Sequence, residues 1–275
     1  MTKLEYTFKT DTLFKMLFVK YPDLLKRLVA ALLEIKYDSI GQFDITNPEM
    51  PPEAIGDKFC RLDINMTVDE SRVNLELQVN DEGDYPERSL FYWAREFSTA
   101  LEEGGHYIDL PRVVIISIID FEQFDCEEFK SEYLPLEIKR HTPLTDKMSM
   151  IYFELPKLPN DINTSDELQL WLKLFDAETE EELKRIEELE VLEMQQAINA
   201  YRSITVTDEF RTLERMRSDA RRNEASALYN AERKGRSEGI IEIARNLIKM
   251  DLPLDNIIKA TGLTREELEK LSIAE

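Results

Sequence analysis

Two cysteines, Cys60 and Cys126, and two histidines, His106 and His141, are all that this 275-residue sequence contains of either residue. The cysteines cannot build a disulfide framework, and no Cys/His cluster stands at zinc spacing. Glycine is scarce as well, at 8 residues, and nothing in the sequence is collagenous or low in complexity. Long apolar runs are missing: the longest, Val113 to Ile119, falls far short of the roughly 20 residues a bilayer demands. The opening MTKLEYTFKTDTLFKM lacks the basic start and unbroken apolar stretch of a secretory signal, so a cytoplasmic protein is expected.

What is present is an ordered, strongly acidic chain. Hydrophobic residues make up 43% of it, enough to bury a core, and the length suits one elaborated domain or a core with an appendage. A net charge of −21 argues against a nucleic-acid role, because phosphate contacts require lysine and arginine. The charge is unevenly spread. Acids crowd Glu178 to Glu193, whereas Arg211, Arg215, Arg217, Arg221, Arg222, Arg233, Lys234 and Arg236 gather later. Helices carrying both signs read first as solvated or partner-pairing faces.

Leu13, Phe14, Leu17 and Phe18 recur at helical spacing after the capping candidates Thr10 and Asp11. Pro22 then opens a second helix, or a kinked continuation of the first, over Pro22 to Lys36, with Leu25, Leu28, Val29 and Leu32 inward. Asn47 to Pro52 reads as a loop. From Phe59 to Asn80, apolar and polar residues alternate over two runs, the pattern of a β-hairpin. Cys60, Leu62, Ile64, Met66 and Val68 point one way and Asp63, Asn65 and Thr67 the other; Val73, Leu75, Leu77 and Val79 likewise oppose Asn74, Glu76 and Gln78. A two-residue turn at Asp69 and Glu70 sets Asp63 across from Glu76, and a four-residue turn sets it across from Gln78. In either register the three share a face. Carboxylates roughly 4.5 to 5.5 Å apart at Cβ repel unless a cation lies between them, and such oxygen ligands suit Mg²⁺ or Mn²⁺.

Tyr85 to Leu101 reads as a helix and Arg112 to Phe121 as an apolar strand, which together with the hairpin make an α/β sandwich. Tyr133 to Arg140 and Met148 to Leu155 read as further strands, and Pro156 and Pro159 mark a boundary before helices in which Trp171, Leu172 and Phe175 pack. From Thr207 a long charged helix is expected, then a separate helix from Glu238 to Lys249, a helix opened by Pro253, and a last one begun by Thr264 with Glu267 in capping-box position. That final pair has a helix-turn-helix look, but its acidic second helix favours assembly over DNA reading.

Four separated stretches, TDTLFKMLF (10–18), RLDINMTVDESRVNLELQVN (61–80), YPERSLFYWAREFS (85–98) and the segment from Glu232 to Leu271, resemble the Rpn-type recombination-promoting nucleases and transposase-like proteins of the PD-(D/E)XK superfamily. The resemblance implies a restriction-endonuclease-like α/β core, a mixed sheet flanked by helices, over residues 1–157, followed by a helical C-terminal region over 158–275. It further implies metal-dependent hydrolysis of DNA phosphodiesters, with Asp63 and Glu76 holding Mg²⁺ (or Mn²⁺). Gln78 stands where the superfamily pattern usually has lysine. Glutamine brings no positive charge, so Lys15 on the first helix is the candidate replacement; Asp11, Arg88 and Tyr92 are further candidate residues of the site. DNA and a second copy of the chain, joined through the C-terminal helices, are the expected partners. The alternatives are a nuclease fold that binds or assembles on nucleic acid without efficient catalysis, and a helical protein-binding adaptor.

Overall fold

The computed structural model describes residues 2–47, 63–101, 104–161 and 163–273. The sequence expectations for the loop beyond Asn47 and for Cys60 and Leu62 lie outside these residues.

Helix α1 (Asp11–Lys20) ends before Pro22, which occupies the first position of α2 (Pro22–Leu32), where its missing N–H has no bond to lose. Leu25, Leu28, Val29 and Leu32 are fully buried. A mixed sheet follows, built from β1 (Phe43–Ile45), β2 (Ile64–Val68), β3 (Ser71–Gln78), β4 (Arg112–Ile119), β5 (Lys130–Tyr133) and β6 (Met148–Glu154) in the order β1-β2-β3-β4-β6-β5. The outer pairs are antiparallel and the central β3–β4–β6 pairs parallel. Helix α3 (Tyr85–Ser98) makes the crossover from β3 to β4.

The run VVIISII in β4 shows why the centre is parallel: strands buried on both sides carry near-continuous apolar sequence. Val114, Ile116 and Ile118 enter a large core with α1, α2, β2 and β3. Val113, Ile115 and Ile119 enter a second core together with Tyr85 and Tyr152. Helices α4 (Glu167–Asp176), α5 (Glu180–Glu187) and α6 (Leu192–Thr205) complete the first core, where Trp171 and Phe175 are wholly buried. Phe18 stacks on Phe175 at 6.2 Å, so the helices after β6 and the first helix share one interior.

Three sequence expectations change. The strand expected over Tyr133–Arg140 lies earlier, at Lys130–Tyr133, because Pro135 lacks the N–H a ladder needs; Leu136 makes only an isolated bridge to Pro143. The two helices expected from Thr207 to Lys249 are one, α7 (Asp208–Lys249), of 42 residues, which runs through Gly235 and Gly239 unbroken. The boundary expected at 157/158 falls inside the first of two compact units, Met1–Arg215 and Met216–Glu275, because α4 to α6 bury their apolar faces on the sheet core.

In the second unit, α8 (Leu254–Thr261) follows Pro253, and Gly262 closes it in the left-handed conformation at φ 71°. Thr264 and Glu267 form the expected capping interaction at α9 (Arg265–Ile273), and Ala244, Ile257 and Leu268 make a small core. Among the basic residues of α7, Arg222 pairs with Asp219 at 3.6 Å and Lys234 with Glu238 at 3.8 Å, as a solvated two-sign face would. Among the described residues no helix is long and apolar enough to cross a membrane.

Candidate active site

The hairpin register decides the site. Ser71 pairs with Val68 and Leu75 with Ile64, leaving a two-residue turn of Asp69 and Glu70. Asp69 takes a positive φ of 50°, and its Oδ1 accepts from the backbone N–H groups of Gly41 and Gln42, both at 2.9 Å, which anchors the turn to β1. Continuing this register by one residue sets Asp63 across from Glu76, one of the two arrangements the sequence left open.

The face that carries the acids is not the wet side of a hairpin. Asn74 and Glu76 are 5% and 4% exposed, because α3 covers this part of the sheet. Burial of a carboxylate is costly unless donors meet it, and each acid here is met by a neutral donor. Asn74 Nδ2 donates to Asp63 Oδ2 at 2.7 Å and to Asn65 Oδ1 at 2.7 Å. Two acceptors for the two amide protons fix the amide orientation and leave Asn74 Oδ1 as a buried acceptor with no hydrogen-bond partner among the described residues. At the second acid, Tyr85 Oη is 3.1 Å from Glu76 Oε2 and 2.9 Å from Ser117 Oγ. Ser117 is the β4 residue in register with Glu76. Burial and the nearby Glu76 charge hold the Tyr85 phenol far above its ordinary pKa, so it stays a neutral donor. A second buried hydroxyl pair, Ser89 with Tyr152, lies in the same layer.

Lys15 is 2% exposed. Its ammonium donates to the backbone carbonyls of Asn47, at 2.5 Å, and of Asp63, at 2.9 Å. Burial pushes the Asp63 carboxyl up, and the Lys15 charge and the Asn74 amide act against that rise. The structure thus brings Lys15 to Asp63, as a clamp on its backbone and a charge near its carboxylate. Gln78 lies two residues beyond Glu76 on the same face, half-buried, with Nε2 donating to Asn80 O at 2.7 Å.

The remaining candidates lie on α1 and α3. Asp11 is the first residue of α1. Arg88 binds Glu82, lies 3.9 Å from Asp84 and stacks over the Tyr85 ring at 4.9 Å. Tyr92 packs on Phe91 and under Arg95. Asn74, Tyr85 and Ser117 were not singled out in the sequence. Asn74 stood in the polar row of the hairpin, where a donor beside two acids was the available signal.

Among the described residues no three of His, Cys, Asp and Glu gather as a metal-binding group. A cation here would rest on two carboxylates with neutral oxygens, and Asn74 Oδ1, with no hydrogen-bond partner among the described residues, is such an oxygen. Hard oxygen donors with room for water suit Mg²⁺ or Mn²⁺. Beside Asn74 the same face opens into a cleft of about 280 Å³.

A family model described as PD-(D/E)XK nuclease family transposase matches residues 8–231. No curated protein and no solved structure matches the chain.

Proposed function

Because the chain belongs to the PD-(D/E)XK nuclease family transposases, we propose that it is a Mg²⁺- or Mn²⁺-dependent DNA endonuclease whose cation is held by Asp63 and Glu76. The observation that carries this reading is the pairing of the two acids on one covered sheet face, each met by a neutral donor. Two carboxylates brought to one face attract a divalent ion. The chemistry such an ion supplies when bound is polarisation of the phosphate and acidification of water.

The chain's own residues do the rest. Asn74 fixes the Asp63 carboxylate, Tyr85 fixes Glu76, and Lys15 holds the Asp63 backbone. Gln78 orients the attacking water through its amide. It brings no charge to the pentavalent transition state, and Lys15 supplies positive charge beside Asp63. DNA is the proposed substrate, in the setting of recombination or mobile elements, and the C-terminal unit is the proposed assembly surface between copies.

A second reading, a nuclease fold that binds nucleic acid with weak catalysis, is favoured by the engagement of Lys15 with two carbonyls, which leaves it little reach toward phosphate. Supercoiled plasmid incubated with wild type, Asp63→Ala and Glu76→Ala, in Mg²⁺, Mn²⁺ or EDTA, separates the two. Metal-dependent nicking by wild type, lost in both variants, is the expected result. Folded wild type that cuts under no metal, or variants that cut as well as wild type, would reverse the choice.

A further inference from the structure

We infer that the cleft beside the acid pair is a seat for the backbone of the nucleic-acid strand being cut, with Arg72 and Arg95 as its phosphate contacts. The inference rests on the nuclease reading and gives its substrate a path.

The cleft is lined by Thr46, Asn65, Thr67, Arg72, Asn74 and Glu96, among others, so hydroxyls and amides dominate its polar wall. Asn74 belongs both to this wall and to the Asp63 network. Arg72 and Glu76 lie on the same face of β3, four residues apart, which at about 3.3 Å per residue is roughly 13 Å. DNA carries one phosphate per 3.4 Å of axis on each strand, so a strand cut at the acids passes Arg72 within a few nucleotides.

Arg72 lines the cleft from β3, and Arg95 stands at its edge on α3, next to the lining residue Glu96. Arg72, on the sheet, is placed by a bond from Nη1 to the backbone carbonyl of Glu96 at 3.4 Å. Arg95, on α3, is exposed, lies over the Tyr92 ring at 5.7 Å and has Nη2 4.0 Å from the Glu96 carboxylate. Glu96 is an acid on the cleft, and two guanidinium groups outweigh it. A chain with net charge −21 needs cations concentrated where phosphate is to lie, and this is where they adjoin the acids. The hydroxyls and amides between them suit sugar and phosphate oxygens, which carry no base identity.

The test is fluorescence anisotropy of the full-length protein with a labelled 20-base-pair duplex and the matching single strand, in EDTA so that nothing is cut, across a salt series. Arg72→Ala, Arg95→Ala, the double variant and Arg72→Lys are compared with Arg222→Ala on exposed α7. On the duplex, Arg72→Ala and Arg95→Ala are each expected to flatten the slope of log K against log salt by about 0.9, the loss of one phosphate, and the double variant by about twice that. By the same relation, affinity at 0.1 M salt falls about eightfold in each single variant. Arg72→Lys keeps the slope, Arg222→Ala keeps wild-type binding, and the Mn²⁺-induced rise in melting temperature is unchanged in all. Arginine variants that bind with the wild-type slope overturn the inference even if wild type cuts DNA. Wild type that binds with these arginines contributing but cuts nothing leaves the seat and removes the nuclease. Wild type that binds neither probe overturns both.

Discussion

Replacing Tyr85 by phenylalanine removes one oxygen and leaves the ring that packs against Phe121 and Tyr152. The lost hydroxyl is the donor to Glu76, a carboxylate with 4% exposure. A hydrogen bond to a charged group contributes about 1.5–3 kcal/mol. At about 2–4 °C per kcal/mol for a unit of this size, the melting temperature drops by about 3–12 °C. The effect on cation binding is separate. Groups that orient a metal ligand typically change affinity by about 10- to 100-fold. At a Mn²⁺ concentration of 100 times the wild-type Kd, wild type gains about 2.7 kcal/mol. The variant at the same concentration gains only about 0.4–1.4 kcal/mol by the same relation. Urea denaturation of Tyr85→Phe and wild type, each in EDTA and in Mn²⁺, reads both numbers. A variant as stable as wild type in EDTA would show that Tyr85 does not hold Glu76. A normal Mn²⁺ increment would show that Glu76 needs no such support to bind a cation.

Other perturbations probe neighbouring parts. Lys15→Met leaves the Asn47 carbonyl without that donor and the Asp63 carbonyl with Asn47 Nδ2 at 3.2 Å, and should cost about 1–3 kcal/mol for a carbonyl that stays unpaired, read by urea denaturation; a variant as stable as wild type would refute the clamp. Trp171→Ala should cost about 3–5 kcal/mol in urea denaturation, with far- and near-ultraviolet dichroism falling together, since α4 shares the sheet's core; a separate early transition would contradict that. Arg202 grips Glu187 at 2.8 and 3.0 Å and holds its carboxyl below the ordinary range. Because the folded pKa is depressed, this stabilisation is present above the unfolded carboxylate value of about 4.3 and fades as pH falls through the folded value. Both side chains are partly exposed, so Glu187→Gln should lose no more than about 0.2–1 kcal/mol at pH 7 and show a shallower acid decline below about pH 4.3; identical pH profiles would refute the pairing.

The hairpin was legible because its alternation has a period of two, so the hydrophobic set could satisfy only one facing. What alternation cannot tell is whether the polar row meets water. Asn74 and Glu76 are buried by α3, and nothing in residues 71–78 encodes the arrival of a helix from 85–98. The register was open for a similar reason: Asp69 reaches back to Gly41 and Gln42, a tertiary contact that selects the two-residue turn. Lys15 was found by its type and by resemblance, but its clamp on the Asp63 carbonyl belongs to three dimensions. The strand expected over 133–140 went astray because side-chain alternation outweighed the missing donor of Pro135. The domain boundary at 157/158 followed the prolines, whereas the core follows the apolar faces of α4 to α6.

The parallel pairing of β3 with β4 has a consequence for when the site exists. Two adjacent parallel strands cannot be closed by a hairpin turn; they wait for the crossover through α3, and pairings between distant residues form slowly. Lys15, Asp63, Glu76, Tyr85 and Ser117 come from five different segments, so a chain still emerging from synthesis, with β2 and β3 already made, has its acids but neither Tyr85 nor Ser117 to hold them. The rate at which a refolding sample acquires cation binding should therefore follow the docking of β4, not the formation of the hairpin.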